Sequence, residues 1–567
     1  MEGNPQGWGK AASFVDEALA DRPDLVVHGC DLPATARALR DLLATSGSVF
    51  DRGVPVRVTQ PADGGPPTAV KLTVNNVVME VHHLCRPVKV NQQGVVPVTL
   101  PDRVARMYLD MAGEWGLPSL AGITTAPLLA PDGTVRTADG YDRVTGLWCS
   151  SVPKLRLPER PTRADAEAAL QILRQVFRTF PFADAVRRRD VNLGVEVVQL
   201  DKPPGLDESA LLAALLTAVS RASLWLAPGL LVSAAAISGS GAGKGMLVRA
   251  ICAVAYGVLP RAFTAGGERH ELDKRLAAEL VEAGQALFLD NVNGTVLRSD
   301  TLASVMTERP ARVRILGETR MVPLNSTAFI AVTGNGLSIS EDLARRFLVS
   351  ELDARCEDPE SRRFAPGFLE QIESRRGELL TAALTIWRWG RQNVPNLAHG
   401  RALGGFETWC EWVRDPLMAL GCRDPVERIQ AVKANDPHRR HVAELFRAWW
   451  LCHEDRPTTL AALADSVRTI ADPQGRGRQF LAARIGLLVG TRAAGFVLTR
   501  QDAAGTWGAA TYALRETTPD AADDIGHRDH REHRKGTSPS PGPMPPMTPM
   551  PDDDEAAAVP AGGETVL

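Results

Sequence analysis

Eight cysteines are spread through 567 residues without one C-x-x-C pair. That spacing excludes the common zinc and dithiol motifs and fits single thiols in a reducing compartment. The tightest metal-like group is "VHHLC", with His82, His83 and Cys85. Read as a strand, it points adjacent histidines to opposite faces, so ordinary packing is expected there and not a shared metal. Excess charge is missing too: the net charge of -3 requires any nucleic-acid-binding surface to be local. No apolar run reaches ~18 residues free of charge, so no membrane-spanning helix is expected. The opening "MEGNPQGWGKAASFVDEALADRPD" has no apolar h-region, which predicts no secretory signal and a cytoplasmic chain. There is no internal repeat. What remains is the composition of a soluble globular protein, 44% hydrophobic and 23% charged, long enough for roughly three or four domains.

Residues 1–161 read as a small α+β region. "LPATARALRDLLATSG" has helical periodicity, whereas "VFDRGVPVRVTQ" and "AVKLTVNNVVMEVHHL" are rich in β-branched residues and predict strands. Asp132, Asp139 and Asp142 resemble metal ligands, but D-G and D-x-x turns account for them better. The region lacks a clear acidic metal-binding triad, and its role stays open between an adaptor or origin-contacting region and a reduced relative of a primase. Residues 162–226 are helical, and 227–355 alternate strand and helix, the pattern of an α/β domain with a mainly parallel sheet. A helical cap follows over 356–403. In 404–517, three helical runs precede "GFVLTRQDAAGTWGAATYALR", two strands around a turn, which predicts a winged-helix-like domain. Residues 518–567 are Pro-rich, charged and poor in aromatics, the composition of a disordered tail.

One stretch carries chemistry: "AAAISGSGAGKGML", residues 234–247. Against G-x-x-x-x-G-K-[ST] it matches at Gly243 and Lys244 and fails at Ser238 and Gly245. An apolar strand precedes it and an amphipathic helix follows. Glycines at 239, 241 and 243, with Ser240 and Ala242 between them, let the backbone curl its N–H groups around one phosphate. The helix beginning there adds its positive dipole end, and Lys244 a point charge. "QALFLDNVNG" is an apolar strand ending in Asp290, a place for a magnesium ligand, and Asn291 follows it. "TAFIAVTGNG" ends in Asn335, whose amide is suited to a γ-phosphate or its attacking water. "SEDLARRFLVSEL" presents Arg345 and Arg346, suited to phosphoryl-transfer charge in a neighbouring subunit.

Phosphate loop, Asp-tipped strand, hairpin, Asn-tipped strand and paired arginines, in this order, resemble the AAA+ core of superfamily 3 helicases. The closest likeness is to the helicase halves of primase–helicase replication proteins of phages, plasmids and integrated islands. It covers residues 228–352, above all "GAGKGML", "ALFLDN", "TERPARVRILGETRMVPLNSTAFIAVTGNGLS" and "EDLARRF". The resemblance implies ATP and Mg²⁺ as cofactors, with Lys244 on phosphate, Asp290 on magnesium and Asn335 as γ-phosphate sensor. It implies a ring, a hexamer, in which Arg345 or Arg346 acts in trans. The hairpin "RVRILGETRMVPL" would line a central channel and hold single-stranded DNA through Arg320, with Arg312 and Arg314 as second choices.

Two departures bear on the chemistry. Gly245 removes the magnesium-binding hydroxyl and Asn291 the usual catalytic acid; Ser240 or a water is the candidate for the first role, and Glu268 or Glu271 for the second. Toward the C-terminus, Arg476, Arg478 and Arg484 lie at the start and along one helix, followed by Arg492, and Arg500 near the turn of the wing, a pattern suited to DNA contact. The expectation is an ATP-dependent DNA helicase or helicase-like ATPase in replication of a mobile element. The alternative is an ATP-binding replication initiator or loader with little hydrolysis. A small-metabolite kinase is the third reading, against which stand the lack of a substrate lid and the terminal winged-helix pattern.

Overall fold

The computed structural model describes residues 22–62, 65–235, 239–264, 269–293, 296–314, 321–361, 367–429, 437–502 and 509–517. The chain divides into two units, Met1–Ala443 and Glu444–Leu567.

The first unit is a mixed α/β body around a five-stranded, wholly parallel sheet. Its strands are β1 (Gly229–Ala234), β2 (Ala262–Phe263), β3 (Ala286–Leu289), β4 (Phe329–Asn335) and β5 (Phe347–Leu352). They lie in the order β2-β3-β4-β1-β5. β1 leads into helix α1 (Lys244–Tyr256), and α2 (Arg269–Val281) precedes β3. β1, β4 and β5 are buried along almost their whole length and run as continuous apolar stretches, as strands covered on both faces must.

Helices cover both faces. On one lie α1, the helix Leu206–Ser220 and the helix Arg376–Gln392, sharing a single core. Leu206–Ser220 is buried from Asp207 through Ser220, which explains a sequence apolar on every side. Its polar groups all find partners. Arg174 donates twice to Glu208, at 2.7 and 3.1 Å, with both side chains 2% exposed. Asp207 accepts from the Glu351 backbone N–H and from Arg428. On the other face α2, the helix Asp300–Thr307 and a hairpin, Ala311–Arg314 with Met321–Leu324, form a second core.

The N-terminal part is α+β and packs against the α2–β3 corner. A core of Leu39, Leu43, Val77, Val81, Val104, Tyr108 and Trp115 holds its three helices and small sheets together. Arg52 fixes it to the α2–β3 corner: the guanidinium, 4% exposed, donates to the carbonyls of Leu280, Val281, Leu120 and Ala121. Burial of that charge pushes its pKa down to about 10. Gln285 Oε1 accepts from the N–H and the hydroxyl of Thr125. Asp132 and Asp142 accept backbone N–H groups in turns, whereas Asp139 accepts the distant Val152 N–H at 3.0 Å.

Two sequence expectations change. "AVKLTVNNVVMEVHHL" is strand only over Thr68–Lys71; Val74–Leu84 is a helix. Thr73 accepts from Asn76 N–H while the Asn76 side chain returns to Thr73 N–H, a capping box, and Val77 and Val81 are buried one turn apart. Cap and burial outweigh the strand preference of the valines. His82 and His83 thus sit in a last helical turn, and His82 Nε2 accepts the Leu100 N–H at 3.3 Å. The second difference is at residue 404: Trp409, Trp412 and Val413 belong to the first unit's core, and the second unit begins only at Glu444.

In the second unit the strand Thr458–Thr459 comes first, then the helices Asp465–Ala471 and Arg478–Leu488, then three more strands; the sheet runs in the order Thr458–Thr459, Thr511–Glu516, Phe496–Gln501, Arg492–Ala493, antiparallel throughout. Among the described residues, no helix is long and apolar enough to cross a membrane.

Candidate functional site

In an open parallel sheet, ligands gather outside the carboxyl ends of the strands where the winding reverses. Here that point lies between β1, whose connection runs toward the β2 edge, and β4, whose connection crosses to β5. Residues 236–238 of the loop lie outside the described residues. Gly241 and Gly243 have φ of +69° and +96°, left-handed values that favour glycine. A Cβ on Gly241 would also collide with Glu360 Cγ, so space and backbone both demand glycine there. α1 then begins at Lys244 with no side-chain cap, leaving its first N–H groups to face the cavity.

Lys244, Asp290 and Asn335 meet at this point. Lys244 is 8% exposed; its ammonium donates to Gly239 O at 2.7 Å and to Asn335 Oδ1. Burial holds its pKa below the usual lysine value, and the Asp290 charge works in the opposite sense. Asp290 follows β3, with Oδ1 accepting the Thr333 hydroxyl and Oδ2 3.6 Å from Arg249 Nη2. Thr333 Oγ1 in turn accepts the Asn291 N–H at 3.3 Å. Asn291 has φ +63°. Asn293 donates to Asn291 Oδ1 at 3.3 Å and accepts from Asn335 N–H at 2.6 Å, so three amides link the tips of β3 and β4.

Lys244, Arg249, Asp290, Asn291 and Asn335 line a cavity of about 750 Å³. Apolar side chains line it as well: Phe180, Pro181, Leu193, Val195, Met246 and Phe368, with the Phe180 and Phe368 rings edge to face at 5.6 Å. Volume and lining suit a ligand with both anionic and flat apolar parts.

Not every candidate from the sequence comes here. Ser240 lines the cavity, but its hydroxyl donates to Glu360 at 2.5 Å and so is turned toward that carboxylate. Glu271 pairs with Lys274 at 2.7 Å and does not line the cavity; Glu268 lies outside the described residues. Arg345 and Arg346 are also absent from the lining. Both bind Asp342, Arg345 with 57% of its side chain exposed and Arg346 with 8%. Arg312 and Arg314 share the exposed face of the hairpin, while Arg320 lies outside the described residues. In the second unit Arg478 is exposed at the first position of its helix, Arg484 is half-buried one face along, and Arg476 stacks on Phe480 and binds Gln474.

Sequence reasoning missed Arg249, Thr333, Asn293, Glu360 and the two phenylalanines. Periodicity signals two of them: Arg249 is one helical turn beyond Gly245, and Thr333 shares a strand face with Asn335. For a magnesium ion the donors are few. Asp290 is the one carboxylate among the described residues lining the cavity, and both its oxygens are engaged. No group of three or more His, Cys, Asp or Glu among the described residues is placed to hold a metal. With Gly245 offering no hydroxyl, these residues do not fit the usual magnesium arrangement.

Fold and site together define a mixed α/β protein with a parallel sheet and, at its switch point, a cavity lined by Lys244, Arg249, Phe180 and Phe368 among others. No protein-family model and no curated protein matches the sequence. Solved structures do. The chain is similar to the C-terminal region of NrS-1, with TM-score 0.34 and 10% identity over 84% of this chain and 98% of that one. It is similar to SCCmec type IV Cch, titled an active helicase, with TM-score 0.31 and 11% identity over 82% and 92%. A JCV helicase matches at TM-score 0.18 and 13% identity over 41% and 60%. At these scores the functional reading rests on the site's own geometry.

Proposed function

We propose that this chain is a P-loop ATPase of the helicase type that binds ATP at the 239–245 loop and acts on DNA. One observation carries the reading: Lys244, Asp290 and Asn335, from three separate segments, converge at the carboxyl ends of adjacent parallel strands, beside an uncapped helix start. The loop N–H groups and Lys244 would hold the β- and γ-phosphates. Phe180 and Phe368 would wall the base, and Asn335 would sense the γ-phosphate through the same amide that now binds Lys244. Water would be oriented by Asn291 and Asn293, which offer no base to take its proton.

Arg345 is the better candidate for a finger acting in trans in a hexameric ring, because Arg346 is buried on Asp342. Arg312 and Arg314 on the hairpin would face single-stranded DNA in the channel, as would Arg320. The second unit would be a winged helix whose Arg478 and Arg484, with Arg476, contact DNA. Replication of a mobile element is the setting proposed.

The test is ATP binding and steady-state hydrolysis by the full chain and by Lys244→Ala, with and without single-stranded DNA. Loss of both in the variant, and DNA-stimulated turnover on the order of 1 s⁻¹ in the native chain, support the motor. Full ATPase activity in Lys244→Ala would remove the site assignment. Gly245 and Asn291 favour a second reading, an initiator or loader that binds ATP as a switch. Tight binding with turnover unmoved by DNA would select it.

A further inference from the structure

We propose that the Arg249 guanidinium takes the place of the divalent cation at the phosphate site, so that this chain binds a nucleoside triphosphate without magnesium. The inference rests on the nucleotide-site reading above and adds how its anionic end is neutralised.

Gly245 has ordinary helical backbone, so conformation does not call for glycine, and glycine in a helix is unfavourable relative to alanine. Space explains it. A Cβ at 245 would lie 2.7 Å from Arg249 Nη1, and 3.5 and 3.6 Å from the two Asp290 oxygens. A side chain there would therefore point between Asp290 and the phosphates, where a hydroxyl and a metal ion would sit. Arg249, one turn along the same helix face, occupies that space instead.

Arg249 is held in place from two sides. Nη2 is 3.6 Å from Asp290 Oδ2, and the guanidinium lies over the Phe288 ring with 5.5 Å to its centroid. The side chain remains 33% exposed and lines the cavity. Asp290 is fixed in turn by the Thr333 hydroxyl on its other oxygen. The carboxylate that would bind a metal thus already binds a permanent cation. A second positive charge beside Arg249 would meet repulsion and find only one carboxylate. The guanidinium presents planar paired donors suited to phosphate oxygens, and its weak hydration makes it easier to strip of water than a small divalent ion. Lys244 and Arg249 would then flank the triphosphate, one from the loop and one from the next turn of α1.

The experiment measures the dissociation constant of a fluorescent ATP analogue with the full chain, in excess EDTA and in millimolar MgCl₂. The native protein is expected to bind within about 3-fold in the two conditions, and Arg249→Ala to lose about 10-fold or more in EDTA. Arg249→Lys, which keeps the charge, should recover part of the loss and controls for folding. Gly245→Ser/Arg249→Ala, which restores a hydroxyl and clears the space, should bind more tightly with Mg²⁺ than with EDTA. Native affinity that falls about 10-fold or more in EDTA would overturn the inference and leave the nucleotide site standing. Absence of binding in both conditions would overturn the nucleotide-site reading, and this inference with it.

Discussion

The Thr333 hydroxyl donates to Asp290 Oδ1, joining a buried position on β4 to the carboxylate at the tip of the neighbouring β3. The same hydroxyl oxygen accepts the Asn291 N–H at 3.3 Å, so one group sets both residues that follow the strand. Thr333 is 1% exposed, and water has little access to replace it. Thr333→Val keeps the shape and removes both bonds. The expected outcome is a loss of about 1–3 kcal/mol in stability, read from urea unfolding, since a carboxylate oxygen and an N–H lose their partner. ATP hydrolysis should fall more than ATP binding, whereas Thr333→Ser should retain both.

Glu360 sits over the phosphate loop, accepting the Ser240 hydroxyl at 2.5 Å and closing on Gly241. Its charge opposes an anion at that loop. Glu360→Gln keeps the hydrogen-bonding shape without the charge and should tighten ATP-analogue binding roughly 2- to 5-fold at low salt, by removing a repulsion of the size expected between exposed charges. The gain should shrink as salt is raised, because exposed charges are screened. Equal gains at low and high salt would mean that Glu360 acts by blocking space and not by charge.

What was legible in the sequence follows from where the constraint lies. The loop announces itself because left-handed backbone at 241 and 243 calls for glycine, and the strand tips because an apolar run ends abruptly in Asp290 or Asn335. Arg249 and Thr333 lay within reach of periodicity, but nothing local sets a helix arginine or a strand threonine apart. Phe180 and Phe368 come from segments far from the loop in sequence, and only the packing of the fold brings them together. The helix Val74–Leu84 was hidden by its valines, and its cap uses Asn76 where the usual signature has an acid or Gln. The aromatic cluster Trp409 and Trp412 reads as part of any helical block; only long-range packing assigns it to the first unit.

The buried pair Arg174–Glu208 ties the helix Arg163–Phe177 to the helix Leu206–Ser220 behind the sheet. Burial raises the Glu208 pKa, and the Arg174 guanidinium works against that rise. Arg174→Met would leave a carboxylate in the core without its partner, at a cost of about 3–5 kcal/mol. Adding Glu208→Leu removes the stranded charge and should restore much of that loss. Urea midpoints of the native chain, the single variant and the double variant measure it. A double variant no more stable than the single would show that packing, and not the uncompensated charge, sets the cost.

Arg476 and Arg478 are two residues apart but differently engaged. Arg476 lies over the Phe480 ring at 4.9 Å and donates to Gln474, while Arg478 is exposed at the first position of its helix. A guanidinium that must leave two partners to reach a phosphate gives up part of what it gains. Arg478→Ala should therefore weaken DNA binding more than Arg476→Ala does. Removing one arginine–phosphate ion pair should also reduce the slope of log affinity against log salt by about one. Binding of labelled duplex and single-stranded DNA to the full chain, measured by anisotropy across a salt series, gives both quantities at once. An unchanged slope in Arg478→Ala would exclude that side chain from the phosphate-binding surface, leaving Arg484 and the exposed hairpin face bearing Arg312 and Arg314 as the sources of positive charge.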